Sequence, residues 1–129
     1  MRKLFCLTFV LVLLTACREQ PATIDLTASN NGVTLETTAN QTINLTLDSN
    51  ATTGYKWNLA AEPDSTVLKL VSSEYVVPKT GTPVVGAGGK EVWKFQTTGR
   101  GTTSLKLAYF RPFDPQQVAK EFSATVVVK

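Results

Sequence analysis

The sequence contains no histidine, and its two cysteines, Cys6 and Cys17, both lie near the amino terminus. A Ser-His-Asp triad and a Cys-His pair each need a histidine, so this chain can build neither. The His and Cys ligands that usually hold zinc are also missing after Cys17. These absences exclude the commonest forms of nucleophilic and zinc-dependent catalysis.

Carboxylates remain as groups for acid–base chemistry, but the sequence does not place them where a buried pair would form. Most fall at expected strand ends or in loops: Asp48, Glu62, Asp64, Asp114 and Glu121. A catalytic acid pair needs burial to separate its two pKa values, so we interpret these residues as solvated. We predict a binding protein that is not an enzyme and uses no metal and no cofactor.

Clusters of basic residues are absent as well. The chain has 13 Lys and Arg residues against 10 Asp and Glu residues. Arg2 and Lys3 belong to the amino-terminal segment, and the other basic residues are scattered along a nearly neutral remainder. We therefore predict no nucleic-acid partner.

The amino-terminal segment resembles a bacterial lipoprotein signal. Arg2 and Lys3 precede the apolar run Leu4–Leu14, which is too short for a comfortable membrane span, and "LTAC" follows at Leu14–Cys17. The resemblance to a lipobox implies cleavage before Cys17 and lipid attachment to it. The alternative is an ordinary signal peptide with an incidental cysteine. Arg18 stands where aspartate favours the inner membrane, so we expect an outer-membrane lipoprotein in the cell envelope, facing the periplasm or the surface.

Three segments follow from this interpretation: a signal peptide at 1–16, a tether at 17–23 and one domain at 24–129. The domain lacks cysteine and therefore disulfides, although an exported protein is free to form them. About 110 mature residues suffice for one small hydrophobic core, and not for two.

Apolar and polar residues alternate through most of this domain. "TINLTLD" places Ile43, Leu45 and Leu47 on one face, and "EVWKFQT" places Trp93 and Phe95 together. Such alternation, rich in Thr and Val and interrupted by Gly-containing separators, is typical of half-buried strands. We predict an all-β, immunoglobulin-like antiparallel sandwich of seven or eight strands, with a barrel as the alternative.

Three loops have unusual composition, and we name them here. Loop 1 is "NATTGY", residues 50–55; loop 2 is "GAGG", residues 86–89; loop 3 is "RPF", residues 111–113. Taken in order, with "KEVWKF" after loop 2, they resemble the chagasin family of cysteine-peptidase inhibitors. That family carries Asn-Pro-Thr-Thr-Gly-Tyr, Gly-x-Gly-Gly before a Trp-x-Phe strand, and Arg-Pro-Trp. The resemblance spans nearly the whole domain.

The resemblance implies a reversible inhibitor of papain-like cysteine peptidases, whose three loops form a wedge that blocks the active-site cleft. It implies thirteen peptidase-binding residues: Asn50, Ala51, Thr52, Thr53, Gly54, Tyr55, Gly86, Ala87, Gly88, Gly89, Arg111, Pro112 and Phe113. Ala51 replaces the family's usual proline and Phe113 its tryptophan. We expect Arg111 and Phe113 to be exposed at the rim of the wedge, and the protein to be a monomer.

Other interpretations stay open at this stage. The loop glycines also suit ordinary turns. We read Tyr55, Trp57, Trp93 and Phe95 as core residues, of which Tyr55 and Trp57 anchor loop 1 to the core. One alternative is an envelope lipoprotein whose loops bind another protein or a glycan without inhibiting a peptidase. A further alternative is an assembly factor that pairs through an exposed edge strand.

Overall fold

The computed structural model describes residues 22–79 and 86–129. The predicted signal peptide, the lipidation site Cys17 and most of the tether lie outside the described residues. Strand β1 begins at Thr23, next to the predicted start of the domain. Within the described ranges, no helix is long and apolar enough to span a membrane.

Eight strands and two short 3₁₀ helices make up the described part of the chain. The strands are β1 (Thr23–Thr27), β2 (Thr34–Thr37), β3 (Thr42–Ser49), β4 (Lys56–Ala61), β5 (Leu68–Val76), β6 (Gly89–Thr97), β7 (Gly101–Phe110) and β8 (Lys120–Val128). The 3₁₀ helices are Ala28–Asn30 and Ala51–Thr53. This confirms the all-β class and the predicted strand number.

The strands form two four-stranded sheets, in the orders β1-β3-β6-β5 and β2-β8-β7-β4. Most neighbours are antiparallel, but β1 pairs with β3 and β2 pairs with β8 in parallel. In each parallel pair, one partner is a short edge strand. The predicted sandwich is therefore confirmed, with two parallel edge pairings that the sequence pattern did not indicate.

The core lies between the two sheets and follows the alternation of the sequence. Ile43, Leu45 and Leu47 of β3 are almost fully buried, whereas Asp48 on the other face is exposed. Inward residues of β6, β7 and β8 complete the core, chiefly Trp93, Phe95, Leu105, Leu107, Phe122 and Val126. Burial of large apolar side chains contributes about 1.5–3 kcal/mol each, which stabilises a domain without disulfides.

The predicted core tryptophans are both buried, at 4% exposed for Trp57 and 6% for Trp93. Phe95 is fully buried and stacks on Trp93 with ring centroids 6.5 Å apart. Tyr55 differs, because it is half-buried and packs against the edge of the core. It therefore lies between core and surface, where a loop meets the sandwich.

Strand direction brings the three loops to one end of the sandwich. Since β6 is antiparallel to both β3 and β5, the β3–β4 and β5–β6 connections lie at the same end. The β7–β8 connection lies at this end as well, because β7 is antiparallel to β4 and ends beside the residue where β4 begins. We call this end the loop end. The β2–β3, β4–β5 and β6–β7 turns lie at the opposite end.

Candidate functional site

Loop 1 is a closed turn that holds itself together. The side chain of Asn50 caps the 3₁₀ helix Ala51–Thr53, since its Oδ1 accepts from the Thr52 amide at 3.1 Å and the Thr52 hydroxyl at 2.6 Å. The Thr53 hydroxyl donates to the Asn50 carbonyl at 2.7 Å. These hydrogen bonds fold residues 50–53 into a compact, exposed turn, which we call the tip of loop 1.

Gly54 closes the tip in a left-handed conformation, with φ of 79°. A residue with a Cβ is strained in this conformation, so glycine fits the position. A Cβ there would meet only ordinary contacts, 3.9 Å from Phe113 Cε1 and 4.0 Å from Arg111 Cγ. The backbone conformation, and not the space, is what selects glycine.

Loop 3 contacts loop 1 through Arg111. Its Nε donates to the Thr53 carbonyl at 3.1 Å, and its guanidinium carbon lies 4.6 Å from the centroid of the Tyr55 ring. Arg111 is consequently half-buried and not fully exposed at the rim as expected. Phe113 does meet that expectation, with 78% of its surface exposed.

Loop 2 is tied to loop 1 by a hydrogen bond from Asn50 Nδ2 to the Gly86 carbonyl, at 3.2 Å. Gly86, Ala87 and Gly88 are exposed. Gly89 is buried at the start of β6, and a Cβ there would lie only 2.5 Å from the Val76 carbonyl oxygen. Glycine at position 89 therefore permits close pairing of β5 with β6.

An aromatic stack supports the loops from below. The Tyr109 ring stacks on Tyr55 with centroids 5.3 Å apart and packs against Trp57 at 5.1 Å. Its hydroxyl accepts a 2.9 Å hydrogen bond from the Asn50 amide. The alternation of β7 indicates only that Tyr109 faces the core, yet this residue contacts the base of loop 1 directly.

Two polar residues beneath loop 1 were not predicted from the sequence. Ser49 and Glu91 are each 5% exposed, and the Ser49 hydroxyl donates to Glu91 Oε1 at 2.7 Å. Both continue inward-facing series of otherwise apolar residues, along β3 and β6 respectively. The signal available in the sequence was a glutamate at position 91, which falls at an inward-facing position in the alternation of β6.

A cleft of about 310 Å³ opens beside loop 1, between the first strand residues of β4 and the last part of β5. Tyr55, Tyr75, Pro112 and the buried Glu91 contribute to its walls. Because loop 1 and loop 3 residues line it, the loop end has both a protruding tip and an adjoining concave surface.

One ion pair lies at the loop end outside this cleft. Lys90 bonds to Asp48 across β3 and β6, and the hydrogen bond and charge of Lys90 hold the pKa of Asp48 below its usual range. Both side chains are more than half exposed, so the pair contributes little stability. Among the described residues, no three His, Cys, Asp or Glu side chains cluster as metal ligands would.

Comparison with known proteins bears on this geometry. Residues 36–128 match the family model described as chagasin family peptidase inhibitor I42. The chain belongs to the chagasin family. The match takes in β3 to β8, part of β2 and all three loops, which agrees with the resemblance seen in the motifs.

Two relatives are similar in sequence. Chagasin of Trypanosoma cruzi is 30% identical over 91 residues, covering 68% of this chain and 81% of that protein. Amoebiasin-1 of Entamoeba histolytica is 30% identical over 106 residues, covering 82% of this chain and 100% of that protein.

A solved structure is similar in fold. The crystal structure of the cysteine protease inhibitor EhICP2 from Entamoeba histolytica matches with a TM-score of 0.74 and 26% identity, covering 84% of this chain and 96% of that one. This chain is thus a chagasin-family cysteine-peptidase inhibitor, and the relatives are inhibitors and not enzymes, as predicted.

Proposed function

We propose that the loop end enters the active-site cleft of papain-like cysteine peptidases as a wedge and blocks it reversibly. The observation that carries this proposal is the bonding of all three loops into one unit. Arg111 joins loop 3 to loop 1, and Asn50 joins loop 1 to loop 2. Loops fixed before binding lose less conformational entropy when the complex forms.

Loop 1 supplies the tip of the wedge. Thr52, Thr53 and Gly54 are slim and exposed, so the tip fits a narrow cleft and its backbone approaches the catalytic cysteine. The tip is a 3₁₀ turn closed by its own hydrogen bonds. It offers no extended backbone for cleavage, which explains how an inhibitor occupies a nucleophile's site and remains intact.

Loops 2 and 3 flank the tip with different chemistry. The exposed backbone of Gly86, Ala87 and Gly88 offers main-chain hydrogen bonds to one wall of the cleft. Phe113 offers a large exposed ring to the other wall, and Pro112 holds it in a fixed relation to Arg111. Aromatic and arginine side chains dominate the energies of protein interfaces, so loop 3 provides the apolar anchor.

The test is an inhibition constant against papain for the purified domain 24–129 and for its Gly54→Glu variant. Glutamate at the tip is strained by the positive φ and carries a charge into a desolvated cleft, so we expect inhibition to weaken by about 100-fold or more. Circular dichroism of both proteins checks that the sandwich stays folded.

Gly32→Glu is the matched control. Gly32 is also exposed and has φ of 84°, and a Cβ added there would meet no other atom within 4 Å, but it lies outside the three loops. Its variant should inhibit papain as well as the unmodified domain. Equal inhibition by Gly54→Glu would place the tip elsewhere, and a domain that inhibits no papain-like peptidase would refute the proposal.

We further propose that lipid on Cys17 anchors the protein in the bacterial envelope, with the loop end facing the aqueous side. The direction of β1 supports this arrangement. Thr23 pairs with Thr42 at the opposite end of the sandwich from the loops. A tether that leaves from Thr23 would direct the wedge away from the membrane, where a peptidase is free to reach it.

A further inference from the structure

Glu91 is the charged side chain in the buried set of the described residues, with 5% of its surface exposed. Burying a carboxylate is costly unless hydrogen bonds satisfy it. The residues facing it in the adjacent strands are Leu47 and Tyr75, neither of which carries an opposite charge. Its presence in the core therefore calls for an explanation other than ion pairing.

The hydrogen bonds of Glu91 converge on the base of loop 1. Its Oε1 accepts from the Ser49 hydroxyl at 2.7 Å and from the Trp57 amide at 3.2 Å. Ser49 is the last residue of β3, and Trp57 lies at the start of β4. One carboxylate oxygen thus joins the two strands from which loop 1 emerges.

These two strands belong to different sheets, so the spacing between them is not set by sheet hydrogen bonds. The Trp57 indole adds a second link across the same gap, since its Nε1 donates to the Asp48 carbonyl at 3.0 Å. Loop 1 begins and ends at this gap. The orientation of loop 1 therefore depends on the distance between β3 and β4 at this point.

Stability alone does not account for the carboxylate. When a buried polar group and its side-chain partners are replaced together by apolar groups of the same shape, stability is often unchanged or improved, so a core does not need a carboxylate at this position. We propose that Glu91 is a positioning residue, which fixes the distance between the strands flanking loop 1 and thereby the orientation of the inhibitory tip. The inhibitory part of this inference rests on the proposed function.

Three variants test the inference, with two readouts. Glu91→Gln keeps an acceptor oxygen, Ser49→Ala removes one of the two bonds, and Glu91→Leu removes both. The readouts are the inhibition constant against papain and the amide hydrogen exchange of Thr53 and Gly54, whose N–H groups bond within loop 1.

We expect Glu91→Gln to inhibit within about 3-fold of the unmodified domain, and Glu91→Leu to be weaker by about 10-fold or more. Ser49→Ala should fall between them. Exchange of the Thr53 and Gly54 amides should accelerate in the same order, because a loop without its brace opens more often.

Thr97→Val is the matched control, since Thr97 is a buried polar residue of the same strand. Its hydroxyl accepts from the Gln41 amide at 2.9 Å and donates to the Thr38 carbonyl at 2.7 Å, at the opposite end. The variant should lower the thermal midpoint without changing inhibition or loop 1 exchange.

A folded Glu91→Leu domain with unchanged inhibition and unchanged exchange would overturn the inference. If that variant does not fold, Ser49→Ala decides, and unchanged values for it have the same meaning. If the unmodified domain fails to inhibit papain, the proposed function fails, yet the exchange rates still decide whether Glu91 positions loop 1.

Discussion

Strand β6 links the two ends of the sandwich, and each end is built around one of its buried polar side chains. Near the loop end, Glu91 ties together the strands that flank loop 1. At the opposite end, Thr97 ties β6 to the β2–β3 turn through Gln41 and Thr38. A buried polar side chain of β6 therefore makes the links at both ends, although the surfaces of the two ends differ.

The opposite end is closed by tight polar turns. The Asn40 amide donates to the Thr97 carbonyl at 2.9 Å, and the Thr98 amide donates to the Val67 carbonyl at 2.9 Å. Asp64 closes the β4–β5 turn, and its hydrogen bonds from Thr66 lower the pKa of its carboxyl. The first two bonds link one turn to a neighbouring strand or turn through backbone groups, and Asp64 satisfies a backbone amide within its own turn.

At the loop end, the hydrogen bonds between loops of the described residues come from side chains, whereas the opposite end also has backbone-to-backbone bonds between its turns. Asn50 and Arg111 make these bonds, while Phe113 stays 78% exposed above them. Because the Phe113 ring is so exposed, it contributes little to the stability of the monomer. The opposite end is held by bonds between its turns and carries the start of β1, and the exposed ring on the linked loops of the other end favours the binding role proposed for that end.

The largest expected effect concerns the segment that precedes β1, the strand that starts at that opposite end. Cys17→Ser removes the residue that we propose to be lipidated, and we expect the protein to move from the membrane fraction to the soluble fraction entirely. A doubly or triply acylated cysteine binds stably because each buried methylene contributes about 0.8 kcal/mol. Fractionation followed by immunoblotting measures the change.

The same variant separates the two ends functionally. Its inhibition constant against papain should equal that of the unmodified protein, because β1 starts at the opposite end of the sandwich from the loops of the proposed wedge. Retention of Cys17→Ser in the membrane would refute lipid anchoring, and an altered inhibition constant would contradict the separation of the two ends.

The next effect concerns the exposed ring of loop 3. We expect Phe113→Ala to weaken papain inhibition by about 30-fold, since loss of an aromatic anchor typically costs about 2 kcal/mol or more. The thermal midpoint should hardly change, because the ring is 78% exposed in the free protein. Calorimetry and an inhibition assay measure the two quantities.

Val71→Ala is a suitable control, since Val71 is an exposed apolar residue, at 54%, on β5 and outside the three loops. It should leave inhibition unchanged. If Phe113→Ala unfolds the domain, or if both variants weaken inhibition equally, loop 3 does not act as a specific anchor.

The fold was largely predictable from sequence because alternation reports which residues face inward. Ile43, Leu45 and Leu47 are buried as expected, and so are Leu105 and Leu107. Alternation carries no information on which strands pair, since pairing depends on contacts distant in sequence. The parallel edge pairings of β1 and β2 were for this reason not predicted.

The three loops were recognisable from their motifs, but their mutual bonds were not. Nothing in "RPF" indicates that the Nε of Arg111 reaches the Thr53 carbonyl, so the sequence predicts a free rim residue there. The role of Glu91 is equally hidden, because its partners, Ser49 and the Trp57 amide, are 42 and 34 residues away along the chain. Long-range side-chain bonds of this kind need three-dimensional placement.

The smallest expected effect tests how rigid loop 1 already is. Ala51 is the first residue of the 3₁₀ helix, a position where proline is tolerated because its missing N–H lies outside the helical bonds. Asn50 before it is extended, with φ of −129° and ψ of 96°, and so lies outside the α region that a following proline disfavours. Ala51→Pro should therefore fit without distortion.

We expect Ala51→Pro to tighten papain inhibition by about 2- to 5-fold, because proline limits the freedom of the unbound loop by about 0.4–1 kcal/mol. Asn40→Pro is the contrasting variant at the opposite end. Asn40 has φ of 62° and donates its amide to Thr97, so proline there should lower the thermal midpoint. Weaker inhibition by a folded Ala51→Pro domain would mean that loop 1 changes conformation on binding, and the contrast between a pre-ordered loop end and a purely structural opposite end would then fail.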